Sequence, residues 1–541
     1  MHMFPPAKQS HRTIDPLEGP QPLADEFWGG DSPRDLIRQR ALDWTRANEL
    51  LPPCVDFALE AIAWAQGLPL LAKTIDSADC ETLRGLLCRA ATEVDEENLF
   101  TRPLVHQLLA GELALTLAAK LPDEKSRRRM AKSGRAAIVK GLGQILDAQG
   151  LPATEHFHGI LPLLACWTRC GQLSNNLAGG AWGPRAQKQF DRFVRNAMRI
   201  ARPDGRAPLT NNDLSPSASK ILASALQLCT DGSNRHIAAI ALAPVSKKAP
   251  AKHKKGVEFP PAALHCEESS LAVLRRGWNR NDERLVTRFA GQTCQIELVT
   301  SAHIAISGEW QFSLSRQGQP LDTVSDWESI CWHSDADVDY LELQIKLAEN
   351  VIVQRHLVLA REDRFLLLAD SVLGSQIGGL EYCGILPLAA GVAYQPATET
   401  REGLLVSAGR SLAQVLPLAL PEWRSDARIG QLMATARGLE LHQETEGRRL
   451  FAPLLFDLDR ARFRRRLTWR TLTVAESLLP VSAERAAGYR VAVGKEQWIV
   501  YRSLGPVGNR TLLGHNLSSE TLVAKFDSEG EVTPIIEIER P

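Results

Sequence analysis

Glu155-His156-Phe157-His158 is the stretch of this sequence best equipped for proton chemistry. Two imidazoles two residues apart, with a carboxylate beside the first, suit a general base or a metal ligand. They equally suit the polar start of a helix. Asn211-Asn212-Asp213 follows the turn Pro203-Asp204-Gly205 and reads as a groove lining or as a cap before Ser215-Pro216. His333, Asp335 and Asp337 alternate, which fits a structural zinc ion or a polar turn ahead of a strand. The basic run Arg460 to Arg466 suits bidentate contact with sulfate or carboxylate, or the charged guard of a strand edge. Glu93, Asp95, Glu96 and Glu97 offer a carboxylate pair for glycoside hydrolysis, or a solvated helix end. Cys166 and Cys170, four apart, share a helix face as a metal half-site or as buried free thiols. The expectation is buried thiols, with no bound metal and no other cofactor. No Gly-rich phosphate loop, nucleophile-elbow serine or His-Glu-x-x-His helix occurs, which removes several enzyme classes.

Two kinds of element must position these residues. After a polar segment, 1–30, the spacing predicts consecutive amphipathic helices over 31–245. Ser32-Pro33 starts one, and others cover Val55 to Ala65, Glu81 to Ala91, Pro103 to Leu121, Asp123 to Gln149, His156 to Cys170, Pro184 to Ala201 and Ser215 to Cys229. Such a series suggests helix pairs packed around an axis. Residues 246–261, with five lysines among Ala and Pro, read as an exposed basic linker. Mild trypsin should therefore cut first between Lys247 and Lys255 and release one helical and one β fragment by circular dichroism. Preferred cleavage elsewhere would move the boundary.

Over 262–541 the apolar period switches to 2. Leu285 to Phe289, Gln295 to Val299, Trp310 to Leu314, Val351 to Leu359, Phe365 to Leu368, Thr468 to Val474, Gln497 to Tyr501 and Val532 to Ile538 are strand-like. Tyr340 to Leu347 alternates strictly, as expected of a strand with one wet face. Many short strands joined by turns predict an antiparallel β-sandwich or multi-sheet domain. The fold class is thus multidomain α plus β.

Lysine plus arginine and aspartate plus glutamate both number 63, so no global field draws nucleic acid or an anionic membrane. No apolar run has the length of a signal peptide or a membrane span, and the expected location is cytoplasmic. Asn509-Arg510-Thr511 and Asn516-Leu517-Ser518 fit the glycosylation pattern, which has no consequence there.

Ala272 to Trp278 (AVLRRGW) and Arg355 to Asp370 (RHLVLAREDRFLLLAD), behind a helical array, resemble the heparinase II/III family of polysaccharide lyases. The resemblance implies an incomplete α/α toroid followed by a multi-sheet β domain. It also implies β-elimination beside a uronic acid carboxylate. There one group restrains the carboxylate's charge, a base removes the neighbouring proton, and an acid protonates the leaving oxygen. Family members use Asn, His or Arg for the first task and His and Tyr for the others.

This sequence departs from that pattern. Its five tyrosines all lie beyond residue 339, the Asn-His element is represented only by Asn175-Asn176, and Thr293 to His303 replaces a His- and Asp-rich strand. The expected catalytic set is therefore His156, His158, Asn175 and Asn176, with Trp182, Arg206 and Asn212 contacting substrate. The expected partner is an acidic polysaccharide; binding it is the expectation, and cleavage by elimination is the activity the resemblance implies. The alternatives are a catalytically silent glycan-binding or assembly protein, and a toroid glycosidase.

Overall fold

The computed structural model describes residues 15–28, 34–51, 54–177, 180, 182–209, 217–242, 259–426, 430–527 and 529–539. Ser32-Pro33, the Lys-rich stretch 247–255 and Asn211 to Asp213, Asn212 included, lie outside them. The chain divides into two compact units, Met1–Ala238 and Ala239–Pro541. Among the described residues no helix is long and apolar enough to cross a membrane.

The first unit is helical. Val55–Leu71 lies at its centre, because Phe57, Leu59, Ile62, Trp64 and the three alanines among them are all buried, and such an all-round apolar helix belongs inside a core. Pro103–Lys120 is one continuous rod whose middle, Gln107–Leu113, widens to π-helical geometry. Asp123 caps the next helix, Glu124–Gln144, by accepting a hydrogen bond from the Ser126 amide at 2.7 Å. This helix ends five residues before the expected Gln149. The Asp147 carboxylate accepts from the Gln149 and Leu151 amides at 2.8 Å each and turns the chain instead. Gly150 completes that turn at φ +84°, where an added Cβ would lie 2.7 Å from Arg192. The long helices Ile160–Asn175 and Pro184–Ile200 follow, and Gly232–Ala241 is a helix the spacing did not predict.

The second unit is built of antiparallel sheets. A five-stranded meander runs from Leu264–Cys266 to His303–Glu309. A large sheet centres on two unusually long neighbours, Phe365–Leu386 and Gly438–Asp457, flanked by Val351–Ala360 and Val338–Leu347. Another five-stranded sheet runs from Leu467–Leu472 to Val532–Ile538. The long strands correct the expectation of short ones. Gly374 to Gly379 carries turn residues, yet forms an irregularity in pairing between Leu373 and Gly378 through which the strand continues.

Strand Val338–Leu347 corrects the expectation of a wet face. Leu341, Leu343 and Ile345 share a core with the first sheet, while Val338 and Tyr340 share one with Trp469, Val491 and Trp498. Both faces are covered, and the polar residue Glu342 is buried with them. It accepts from Tyr340 Oη at 2.6 Å and from Arg502 Nη2 at 3.1 Å. His356 completes the network, with Nδ1 3.2 Å from Tyr340 Oη and Nε2 2.9 Å from Ser371 Oγ. Since Tyr340 donates to Glu342, its oxygen accepts from His356 Nδ1–H, and Nε2 accepts from Ser371.

Burial, reinforced by the charge of Arg502, holds the His356 imidazole well below its ordinary value of 6.5. An unfolded chain takes up that proton below about pH 6.5 and the folded chain does not, so acid favours unfolding. Stability should fall between about pH 7 and 5, by up to about 1.4 kcal/mol per pH unit from this group. Burial lowers His106 and His265 as well, with the same sign. Urea unfolding at both pH values checks this. His356→Gln should flatten the curve, and an unchanged slope would assign it elsewhere.

Candidate functional site

The helices Ile160–Asn175 and Pro184–Ile200 form an antiparallel pair. Trp167 meets Phe193 edge-on at 5.0 Å between ring centroids, midway along both. Near one end, Gly171 makes room for Trp182, whose ring would lie 2.8 Å from an added Cβ. This pairing sorts the expected site residues into two groups. His156 and His158 lie on the short 3₁₀ helix Thr154–Gly159 that enters the first helix. Asn175 and Asn176 lie at its other end, both exposed. Sixteen helical residues separate the groups by about 25 Å. Arg206, beyond the C-terminal end of the second helix, falls on the histidine side, and Trp182 falls on the asparagine side.

At the histidine end, His156 Nε2 lies 2.6 Å from the Phe100 carbonyl oxygen. A carbonyl only accepts, so Nε2 carries the proton and Nδ1 of the neutral ring presents a lone pair. His158 is exposed and packs edge-on against Phe157. Arg206 is held by Asp204, which accepts from its Nε at 2.7 Å and its Nη2 at 2.6 Å. Asp204 in turn is lowered: burial raises its carboxyl, but donation from Arg206 outweighs that.

The other end holds a groove of about 620 Å³, lined by Trp182, Lys188, Asp191, Arg192, Arg195 and Asp231 among others. Trp182 is oriented by a chain of bonds. Its Nε1 donates to Gln187 Oε1 at 2.8 Å, and Gln187 Nε2 donates to Asp191 Oδ1 at 2.9 Å and to the Leu228 carbonyl at 3.1 Å. Asp191 is saturated further by the Thr230 hydroxyl at 2.7 Å and the Asp231 amide at 3.1 Å. Asp231 is ion-paired with Arg195. Both carboxylates are thus committed to internal partners. Lys188 is exposed and makes no ion pair among the described residues, and Arg192 Nη1 donates to the Ala148 carbonyl at 2.8 Å. The groove is left an indole flanked by cations.

Sequence reasoning named Trp182 but missed its companions. Lys188, Arg192, Arg195 and Arg199 recur at intervals of four, three and four, which puts a cationic stripe on one helix face. That spacing was the available signal. Arg199 is the buried end of the stripe, its guanidinium lowered to about 9 by burial and by Arg195.

No family model and no curated relative matches the sequence. Among solved structures, a mutant of heparan sulfate lyase HepC from Pedobacter heparinus superposes over 90% of this chain and 82% of its own. The TM-score is 0.56 at 12% identity. A heparinase III covers 90% and 83%, with a TM-score of 0.58 at 12% identity. Another heparinase III covers 90% and 82%, with a TM-score of 0.55 at 11% identity. The fold is heparinase III-like. At such identities the likeness concerns the fold alone.

Within that heparinase-like frame, the residues that carry the family resemblance are structural. Arg355 donates from Nε and Nη2 to the two Asp370 oxygens at 2.9 Å each, and all of it is buried. Arg462, from the basic run, is buried on Asp457 and Glu496. His333 Nε2 lies 3.0 Å from Asp335 Oδ2 with both exposed, and Asp335 Oδ1 accepts from the Asp337 amide as in a turn. Glu93, Asp95 and Glu97 line a cavity of about 530 Å³ and remain exposed. Cys166 and Cys170 are buried free thiols.

Proposed function

We propose that this chain binds an acidic, uronic-acid-containing polysaccharide, and that the groove beside Trp182 is where its helical unit meets the glycan. In this reading 31–245 is an incomplete α/α toroid and 262–541 a multi-sheet β domain, as the resemblance to the heparinase II/III family implies. The observation that carries it is the joining of an oriented indole to Lys188 and Arg192, while Arg195 is spent on Asp231. A sugar ring stacks its C–H face on an aromatic surface, while its carboxylate or sulfate takes guanidinium and ammonium donors. Asn175 and Asn176 lie at the same end of the helix pair and extend the contact.

Catalysis in the family manner lacks its acid. All five tyrosines, Tyr340, Tyr382, Tyr394, Tyr489 and Tyr501, are buried in the β unit. Burial pushes the phenols of Tyr340, Tyr382, Tyr394 and Tyr489 up, away from proton exchange near neutrality. A panel of uronic-acid polysaccharides should therefore yield no ultraviolet-absorbing unsaturated product.

Elimination is the second reading, and the bare Nδ1 of His156 favours it. There His156 is the base, its imidazolium then returns the proton to the leaving oxygen, and His158 orients the substrate. Arg206 restrains the carboxylate, a task the distant Asn175 and Asn176 cannot share. Under this reading unsaturated product does form, and His156→Ala cuts its rate by about 10² or more. Product formed at the wild-type rate by both histidine variants would refute this site.

A further inference from the structure

Strands Phe365–Leu386 and Gly438–Asp457 pair so that Cys383 stands directly opposite His442. Residues directly opposite project to the same side of a sheet, and residues two apart on a strand share that side, so Glu440 joins them. The alternate residues Tyr382, Leu439 and Leu441 are buried in the core, which anchors both strands. The Cys383, His442 and Glu440 ligand atoms lie within 4.8 Å of one another. Cys383 Sγ is 3.6 Å from His442 Nε2, which is 3.0 Å from Glu440 Oε2.

We propose that Cys383, His442 and Glu440 form a zinc site with an open fourth position. Tetrahedral zinc, with bonds of about 2.3 Å to sulfur and about 2.0 Å to nitrogen and oxygen, sets sulfur and nitrogen about 3.5 Å apart. It sets nitrogen and oxygen about 3.3 Å apart. The sulfur–nitrogen separation of 3.6 Å matches the first edge, and the nitrogen–oxygen separation of 3.0 Å lies slightly inside the second. A thiolate, an imidazole and a carboxylate also make the mixed soft and hard donor set that zinc accepts and magnesium or calcium does not.

Outer partners aim the carboxylate. Thr435 Oγ1 and Arg437 Nε donate to Glu440 Oε1 at 2.6 and 2.9 Å, which leaves Oε2 for the shared position. Arg437 brings a positive charge, but its side chain is 61% exposed and solvent screens it. Cys383 and His442 are only half-buried, so an ion has a path from solvent. On binding, the Cys383 thiol proton leaves to solvent and the His442 proton moves to Nδ1, freeing Nε2 for the metal.

A second cysteine-containing cluster among the described residues contrasts with it. Glu112 lies beside Cys166 and Cys170, but Arg169 occupies both its oxygens, at 2.6 and 2.9 Å, and the group is sealed in the core.

The test uses the intact chain, stripped with chelator, loaded with zinc chloride and dialysed. Elemental analysis should find about one zinc per chain, lost in Cys383→Ser and in His442→Asn. Thr435→Val should weaken retention by roughly 10-fold, as expected for an outer partner. Cobalt loading should give a thiolate charge-transfer band that Cys383→Ser abolishes while circular dichroism stays unchanged. Wild-type chain that retains no zinc overturns the proposal. So does equal retention by the two ligand variants, or a cobalt band that survives in Cys383→Ser.

Discussion

Arg355→Ala should destabilise the β unit by about 3–5 kcal/mol, a large part of the stability of an ordinary domain. The guanidinium lies 3.8 Å above the Trp310 ring and 4.7 Å from that of Trp327, donates to the Trp310 carbonyl at 2.7 Å and grips Asp370 with two more bonds. Tyr382 Oη donates to the same carboxylate at 2.7 Å. Burial alone would lower the Arg355 guanidinium, but Asp370 more than reverses that and keeps it charged. Truncation leaves a carboxylate with no counter-charge in a dry core, and that uncompensated charge is the main cost. The double variant Arg355→Met with Asp370→Leu should recover most of the loss, because neither charge then remains buried. Urea unfolding of the three proteins checks this. A double variant as unstable as Arg355→Ala would show that packing, rather than charge, sets the penalty.

Reversing the groove's charge should have the largest effect on binding. Lys188→Glu with Arg192→Glu removes two charge-assisted contacts, each worth about 1.5–3 kcal/mol, and adds repulsion, so affinity should drop by roughly 100-fold or more. Folding should persist, since Lys188 is exposed and Arg192 gives up only its bonds to the Ala148 carbonyl and Gln189. Wild-type affinity should weaken as salt rises, and that dependence should be shallower in the variant. His156→Ala is the matched control. It sits about 25 Å away along the helix and should leave affinity unchanged. Equal losses in both variants would point to a site spread along the whole helix pair.

Much of the architecture was legible because local signals are strong. Period-3.6 and period-2 patterns located most helices and the strand Val532–Ile538 correctly. Failures arose where distant pairing overrode local pattern. Glu342 looked solvent-facing because charge usually marks a wet face, yet Arg502, distant in sequence, buries it. His158 and Asn175 looked close in sequence, but a straight helix between them sets them far apart. Cys383 and His442 are 59 residues apart and become neighbours only through strand register, which no local pattern specifies.

Recognition of acidic glycan by the Trp182 groove can be checked by one calorimetric titration. The intact chain is titrated with a uronic-acid oligosaccharide and, separately, with the same oligosaccharide after carboxyl reduction and desulfation. Saturable binding of the acidic form, little binding of the neutral one, and loss of the acidic signal in Lys188→Glu with Arg192→Glu are expected. Equal binding of both forms, no binding of either, or full affinity in the charge-reversed variant would contradict it.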